Sequence, residues 1–267
     1  MKRHVLPLVG CVLAAAVAPG RHLGVAAAPA KGGTIAGHIR LSGKSPGNSV
    51  IRMGMDPMCA KINAGKRVID EAVVTSADGG LANVFVRVQD SFPRTPAPVQ
   101  PVTIDQRGCL YSPRVVGARV GQMLQVRNSD ALLHNVHGSS IHGNGFNVGQ
   151  PIAGMVYQFR LKDEEVMLRL RCDVHRWMTA YIGVVDHPYY AVSGADGTFE
   201  IGNVPAGSHT LQAWHERYGS LTQKVRVKAG ATTTIEFTFL GSVTVPHRSA
   251  GAGSSRTVIL PIPAGHP

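Results

Sequence analysis

Short apolar or alternating runs, separated by Gly, Asn and Asp, fill the chain between residues 102 and 240, and no window there carries a long helical period. In the stretch 234–239, Ile235, Phe237 and Phe239 alternate with polar residues. A period of two is typical of strands, because successive side chains point to opposite faces of a sheet. The pattern therefore predicts an all-β protein built from β-sandwiches or barrels.

The clearest predicted strands can be placed by their β-branched and apolar runs: 34–41, 81–88, 102–104, 122–127, 156–161, 166–171, 180–185, 210–214, 224–227 and 234–239. The proline-rich segment 93–98 predicts a boundary after the second of these strands. An Asp-Gly turn within 192–201 predicts a strand pair. The stretch 44–77 has weak periodicity and allows no clear assignment.

Three candidate metal ligands follow the predicted strand 166–171 at regular spacing: Cys172, His175 and Met178. Alternation along that strand places Cys172 on its apolar face, toward the core. A thiolate, an imidazole and a thioether together suit copper, because Cu(I) favours sulfur ligands while Cu(II) accepts nitrogen and thiolate. Zinc also accepts one Cys and two His, and a single Met near such residues is commonly core packing.

A fourth ligand would be a histidine on a neighbouring strand. His134 and His137 both lie upstream in a short β-like run. Residues three apart on a strand face opposite sides of the sheet, so only one of the two can point at the metal. The spacing alone does not choose between them.

Residues 102 to 186 resemble the cupredoxin family, and within it the amicyanin-type domains. The resemblance is carried by the run His-Asn-Val-His at 134–137, by the Cys-x2-His-x2-Met loop at 172–178, and by Pro113, Gly121-Gln122 and Asn128. It implies a Greek-key β-sandwich that carries single electrons through one type 1 (blue) copper ion. The implied copper ligands are His134, Cys172, His175 and Met178, which leaves His137 without a ligand role.

The resemblance also implies roles around the ligands. Asn135 would join its strand to the ligand loop. The position that it contacts is usually Ser or Thr in the family and is Asp173 here. A carboxylate at this position could lower the reduction potential. His175 would be the electron port inside an apolar surface patch, with Arg176 and Trp177 as docking residues. Val174 and Arg176 replace family prolines, and the Val174 amide could reach the copper-binding sulfur.

Residues 189–240 resemble the second half of a carboxypeptidase-regulatory-like (transthyretin-like) β-sandwich, with Asp-Gly-x-Phe-x-Ile at 196–201 and Pro-x-Gly at 205–207. The first half of that pattern lies within 33–89. We therefore expect residues 31–97 and 188–240 to form one discontinuous, smaller sandwich into which the cupredoxin domain, 98–187, is inserted. The Gly/Ser/Pro-rich residues 241–267 are expected to be a flexible tail.

The first thirty residues predict an export signal: two basic residues, an apolar run at 5–18 and an Ala-Pro-Ala cleavage pattern at 28–30. Ordinary cleavage is ranked ahead of lipoprotein anchoring at Cys11. A periplasmic or secreted location follows. In such an oxidising compartment, the remaining pair Cys59 and Cys109 is predicted to form a disulfide.

The formal net charge of +11 falls to +8 once the three cations of the export signal are removed, and this basic charge favours solubility or docking to an acidic redox partner such as a cytochrome c or a dehydrogenase. Lys and Arg are dispersed and no nucleic-acid module is found, so nucleic acid is not an expected partner. No membrane span is predicted. Hydrolase and nucleotide-binding motifs are lacking from the sequence, so we expect that the protein is not an enzyme. Two alternatives remain: a copper-delivery protein using Met53, Met55 and Met58, and a purely structural surface sandwich.

Overall fold

The computed structural model describes residues 32–242, so the expected signal at 1–30 and nearly all of the expected tail lie outside the described residues. Nearly all of the regular secondary structure in the described part is strand, which confirms the all-β fold class. The strands are β1 (Gly33–Ser42), β2 (Phe85–Val88), β3 (Val102–Arg107), β4 (Leu110–Ser112), β5 (Val115–Arg119), β6 (Met123–Asn128), β7 (His134–Ser139), β8 (Phe146–Gln150), β9 (Val156–Arg160), β10 (Glu165–Arg171), β11 (Thr179–Val185), β12 (Tyr190–Val192), β13 (Thr198–Val204), β14 (Gly207–His215), β15 (Gly219–Val227) and β16 (Thr232–Leu240). A 3₁₀-helix (Met53–Met55) and one short helix, α1 (Pro57–Ile62), lie between β1 and β2.

One sandwich contains strands β3 to β11. Its sheets have the orders β5-β11-β10-β7-β8 and β4-β3-β6-β9, and side chains from both sheets share one buried cluster. The alternation in the sequence explains the cluster, because every second residue is buried from Leu124 in β6 and from Leu168 to Leu170 in β10. Val166, before a register shift in β10, is only partly buried and packs elsewhere. Cys172 and Met178 belong to the same cluster.

A second sandwich combines strands from both ends of the described chain. Its sheets have the orders β13-β1-β16 and β12-β2-β14-β15, with a separate buried cluster between them. The first strand, β1, pairs antiparallel with β13 and parallel with β16, while β2 pairs with β12 and β14. We therefore propose that residues 31–97 and 188–240 form one discontinuous domain interrupted by residues 98–187.

The strand pair expected within 192–201 is not a hairpin of one sheet. β12 ends at Val192 and pairs with β2, whereas β13 begins at Thr198 and pairs with β1 in the opposite sheet. The hydroxyl of Ser193 donates to the Leu81 carbonyl (2.8 Å), which holds the chain beside the loop before β2. The turn that follows then carries the chain across the sandwich edge, where the carbonyl of Gly197 accepts from the amide of Ile39 (2.8 Å).

The two sandwiches meet through packed rings and an ion pair. Phe85 and Tyr181, from strands of different sandwiches, belong to one small buried cluster. A Cβ at Gly183 would overlap with the Phe85 ring, so close packing requires glycine there. Beside this cluster the guanidinium of Arg114 donates two hydrogen bonds to the carboxylate of Glu216, one of them at 2.9 Å. The junction is therefore tightly packed and charge-paired.

The irregular segment 44–77 is attached to the first sandwich by a disulfide between Cys59, in α1, and Cys109, in the turn between β3 and β4. Asp56 precedes α1, and its Oδ1 accepts a hydrogen bond from the Cys59 amide (2.9 Å), as an N-cap residue does. Within residues 32–242, no helix has the length and apolarity needed to cross a membrane.

Candidate metal centre

Three of the predicted ligands converge at one end of the first sandwich. His134 opens β7, Cys172 follows the last residue of β10, and His175 lies in the loop that leads to β11. The Nδ1 atoms of the two histidines are 3.1 Å apart, and the Cys172 Sγ is 3.7 Å from the His175 Nδ1. All three side chains are at most 1% exposed, and their donor atoms lie within 4.8 Å of one another.

The Cys172 sulfur is placed to be a thiolate. Burial by itself would raise the pKa of its thiol, but hydrogen bonds with His134 and His175 and with two backbone amides lower it to about 6. The two amides are those of Asn135 and His175, each 3.4 Å from the sulfur. The Val174 amide, expected as a donor, makes no such bond in the described chain, because the loop turns so that the next amide reaches the sulfur.

Met178 closes the ligand loop. Its amide donates to the His175 carbonyl (2.9 Å), and its carbonyl accepts from the Cys172 amide (3.3 Å). These bonds fold the loop back on itself, and the Met178 side chain is fully buried in the cluster that contains Cys172. A buried thioether in the same cluster as the Cys172 sulfur adds a donor type that suits copper.

His137 lies on the other side of β7, as expected for residues three apart on a strand. Its side chain is 25% exposed, and its Nδ1 lies 2.9 Å from a carboxylate oxygen of Asp173. Asn147 and Arg171 also bond to this pair, so the four side chains form a polar surface cluster. His137 is therefore not among the converging donors.

Asn135 joins β7 to the ligand loop. Its side-chain carbonyl accepts a hydrogen bond from the amide of Asp173 (2.9 Å). The Asp173 carboxylate is 42% exposed and also faces the Arg171 guanidinium at 3.1 Å. The paired cation offsets part of the carboxylate charge beside the sulfur, so the expected lowering of the reduction potential by Asp173 is weakened.

Asp130 was not singled out in the sequence, yet it holds His134 in place. The Nε2–H of His134 donates to Asp130 Oδ2 (2.9 Å), and the amides of Gly108 and Cys109 donate to the same carboxylate at 2.8 Å. Burial acts to lower the pKa of His134, but Asp130 and the Cys172 thiolate raise it to about 9. Asp130 lies in the loop before β7 and not on a helix, so its spacing of four residues from His134 did not indicate the pair.

Asp56 was also missed, and it changes the interpretation of His175. The Nε2–H of His175 donates to Asp56 Oδ2 (2.9 Å) and lies 3.5 Å from the Cys59 sulfur. His175 is only 1% exposed, so the expectation that its edge reaches an apolar surface is wrong. The physical reason is that the segment containing α1 covers this edge, where the resemblance implied solvent.

The two expected docking residues differ in environment. Trp177 packs against the His175 ring, with ring centroids 5.2 Å apart, and its Nε1–H donates to the Cys109 carbonyl (2.9 Å). It therefore joins the disulfide to the ligand loop and is only partly exposed. Arg176 is exposed and remains a candidate docking residue.

The methionine cluster of the copper-delivery alternative is not assembled in this structure. Met53 is buried, and its sulfur accepts a hydrogen bond from the Asn63 side chain (3.2 Å). Met55 is 97% exposed and Met58 is 47% exposed. The three thioethers therefore occupy different environments, which argues against a ready-made Cu(I) site there.

Comparison with known proteins identifies a domain family in the C-terminal part. Residues 179–240 match the family model of the carboxypeptidase regulatory-like domain. The match begins in β11, a strand of the first sandwich, and continues through the strands that follow the expected boundary at 188. The family match confirms the second resemblance drawn from the sequence. A search of curated proteins finds no match.

Among solved structures, the chain is similar to a Cu-containing nitrite reductase (NirK) from Thermus scotoductus SA-01. The identity is 19% over 36% of this chain, with a TM-score of 0.30, and the chain spans 24% of the length of that enzyme. A purple cupredoxin from Nitrosopumilus maritimus is 20% identical over 31% of this chain and 97% of its own, with a TM-score of 0.27. A Cu(I) form of an amicyanin variant is 16% identical over 37% of this chain and 97% of its own, with a TM-score of 0.29. The chain thus carries a carboxypeptidase regulatory-like domain, and its neighbours among solved structures include cupredoxins.

Proposed function

We propose that this chain is an exported type 1 copper protein that carries single electrons between redox partners and is not itself an enzyme. One copper ion would be held by His134, Cys172, His175 and Met178. The observation that carries the proposal is the convergence of two imidazole Nδ1 atoms and one thiolate inside a buried, all-β site. A copper ion bound there would supply one-electron exchange between Cu(II) and Cu(I).

The side chains of the site are fixed before any metal binds. Both histidines direct their Nε2–H groups to carboxylates, Asp130 and Asp56, so each Nδ1 is the nitrogen left to face the sulfur. Two amides orient the Cys172 thiolate. Burial excludes water, and a rigid ligand set needs little rearrangement when the charge of the site changes.

The partner would be an acidic redox protein such as a cytochrome c or a dehydrogenase. The net charge, +11 for the full sequence and +8 without the cations of the export signal, supports steering of such a protein. Exposed Arg176, next to a ligand, supports docking near the site. The regulatory-like sandwich would then serve as a platform that is joined to the copper sandwich through the packed junction around Phe85 and Tyr181.

Titration of the metal-free full-length protein with Cu(II) tests the proposal. We expect one equivalent to bind and to produce the intense visible thiolate-to-copper band, together with the narrow copper hyperfine splitting of a type 1 EPR spectrum. The variant Cys172→Ser should lose the band, whereas His137→Ala, a matched histidine three residues from His134, should keep it. A colourless complex in the wild-type protein, or no complex, would reject electron transfer.

A further inference from the structure

The covered edge of His175 is a feature that the proposed function does not explain. Carrying electrons requires only that His175 bind copper through Nδ1. Here the opposite nitrogen, Nε2, is hydrogen-bonded to Asp56 (2.9 Å), a residue 119 positions away in the chain. The ring is 1% exposed and is also flanked by the Cys59 sulfur and the Trp177 ring.

The two oxygens of Asp56 have different partners. Oδ1 accepts from the Cys59 amide and caps α1, whereas Oδ2 accepts from His175. A helix cap needs only one side-chain acceptor, and Ser, Thr or Asn supplies it as well as Asp does. The contact with His175 is therefore a second role of the Asp56 carboxylate. A capping Ser, Thr or Asn would not place a carboxylate against His175.

We propose that Asp56 is a positioning residue for the metal ligand His175, an inference that rests on the proposed copper function. Its carboxylate fixes the ring orientation, keeps the proton on Nε2 and makes Nδ1 a stronger donor. A negative charge near the ligand favours Cu(II) over Cu(I), because the more positive ion gains more from it. Asp56 thereby lowers the reduction potential and keeps partners away from the His175 edge.

The expected size of the effect follows from carboxylates that orient metal-binding histidines, whose loss typically costs about 10- to 100-fold in metal affinity. If this loss falls mainly on Cu(II), the reduction potential rises by about 59 mV for each tenfold change, because a single electron is transferred. Replacing Asp56 should therefore raise the potential by about 60 to 120 mV.

Two substitutions separate the contact with His175 from the helix cap. Asp56→Asn keeps the size of the side chain but removes the charge. Asp56→Ser keeps an N-cap acceptor for Cys59 but is too short to reach His175. Glu71→Gln is the matched control, because it removes an exposed carboxylate from the same irregular segment. Each variant is measured in the full chain for Cu(II) affinity, reduction potential and the visible spectrum.

A further readout uses the diamagnetic Cu(I) protein. In the wild type, the Nε2–H of His175 should exchange slowly with solvent in ¹⁵N-edited NMR spectra, because it is buried and bonded to a carboxylate. In Asp56→Ser the exchange should be at least tenfold faster, while the amide of Cys59 stays protected. If Asp56 acted only as the helix cap, which Ser retains, the Nε2–H of His175 would exchange as slowly as in the wild type, and this result would overturn the proposal.

Both Asp56 variants should show the raised potential and weakened Cu(II) binding, and Glu71→Gln should match the wild type. Potentials within about 15 mV of the wild-type value, which is less than a twofold change in relative affinity, would overturn the role of Asp56. If the wild-type protein itself forms no blue complex, the proposed function has failed, and this outcome is seen before any variant is made.

Discussion

The disulfide between Cys59 and Cys109 should contribute strongly to the stability of the metal-free protein. The two cysteines are 50 residues apart in sequence. For a loop of this length, the chain-entropy relation gives about 4 kcal/mol of stabilisation at 25 °C, through restriction of the unfolded chain. The double variant Cys59→Ala/Cys109→Ala should therefore be less stable than the wild type by up to about 4 kcal/mol.

Urea unfolding of the metal-free protein, followed by tryptophan fluorescence and by circular dichroism, measures this loss. Trp177 lies against the disulfide and reports on the copper sandwich, whereas Trp214 lies in the other sandwich. We expect the transition seen through Trp177 to move to lower urea concentration. A loss below about 1 kcal/mol, with an unchanged dependence on urea, would refute the reasoning, because the closed loop would then restrict the unfolded chain very little.

The same variant should also loosen the metal centre. The amide of Cys59 is held by Asp56 and that of Cys109 by Asp130, the two carboxylates that orient the ligand histidines. Without the covalent link, the Asp56 contact depends on the irregular segment 44–77, whereas Asp130 is still held by the turn between β3 and β4. We expect weaker Cu(II) binding than in the wild type. Unchanged Cu(II) affinity would show that the segment holds its position without the disulfide.

Three further predictions concern single side chains. Burial, with repulsion from nearby arginines, lowers the pKa of His215 from 6.5 to about 3, so its stabilising contribution is complete above pH 6.5 and is lost as the pH falls toward 3. The free energy of unfolding should therefore fall by about 2 kcal/mol between pH 7.5 and 5 because of this residue. In His215→Gln, urea unfolding at the two pH values should show a loss that is smaller by that amount. Arg114→Met should cost about 3 kcal/mol in thermal or urea unfolding because it leaves the buried Glu216 carboxylate unpaired, and Arg114→Met/Glu216→Gln should recover part of that cost. His134→Ala should weaken Cu(II) binding at least 100-fold by isothermal titration whereas His137→Ala should change it less than threefold; equal effects would contradict the assignment of ligands on β7.

The sequence was most informative where local pattern determines structure. The apolar run that begins at Val166 predicted β10 to within one residue, and the alternation of Leu168 and Leu170 placed Cys172 on the buried face. Val166 itself, expected on that face, lies before a register shift and packs on another cluster. Residues three apart on a strand were expected to face opposite sides, and the structure does place His134 and His137 on opposite faces of β7. Such features depend on neighbours in the sequence, so they can be predicted from a single chain.

The rest could not be predicted because it depends on contacts between distant residues. Segment 44–77 has neither a strand period nor a long helix, and α1 spans six residues. Nothing local in that segment indicates that Asp56 meets His175. For the same reason, the Asp-Gly turn at 196–197 predicted a hairpin, although the strands on its two sides belong to different sheets. Which sheet a strand joins is decided by packing over the whole domain.

The position of β1 sets the order in which the chain can fold. This strand lies parallel to β16, with Thr34 opposite Thr232, so the sheet that contains it is incomplete until almost the entire described chain has emerged. Strands β3 to β11, in contrast, pair only among themselves. Contacts between distant residues form slowly, because loop closure must come before they stabilise anything. The metal-binding sandwich can therefore fold first and bring residues 97 and 188 together, so that it acts as the template on which the outer domain closes.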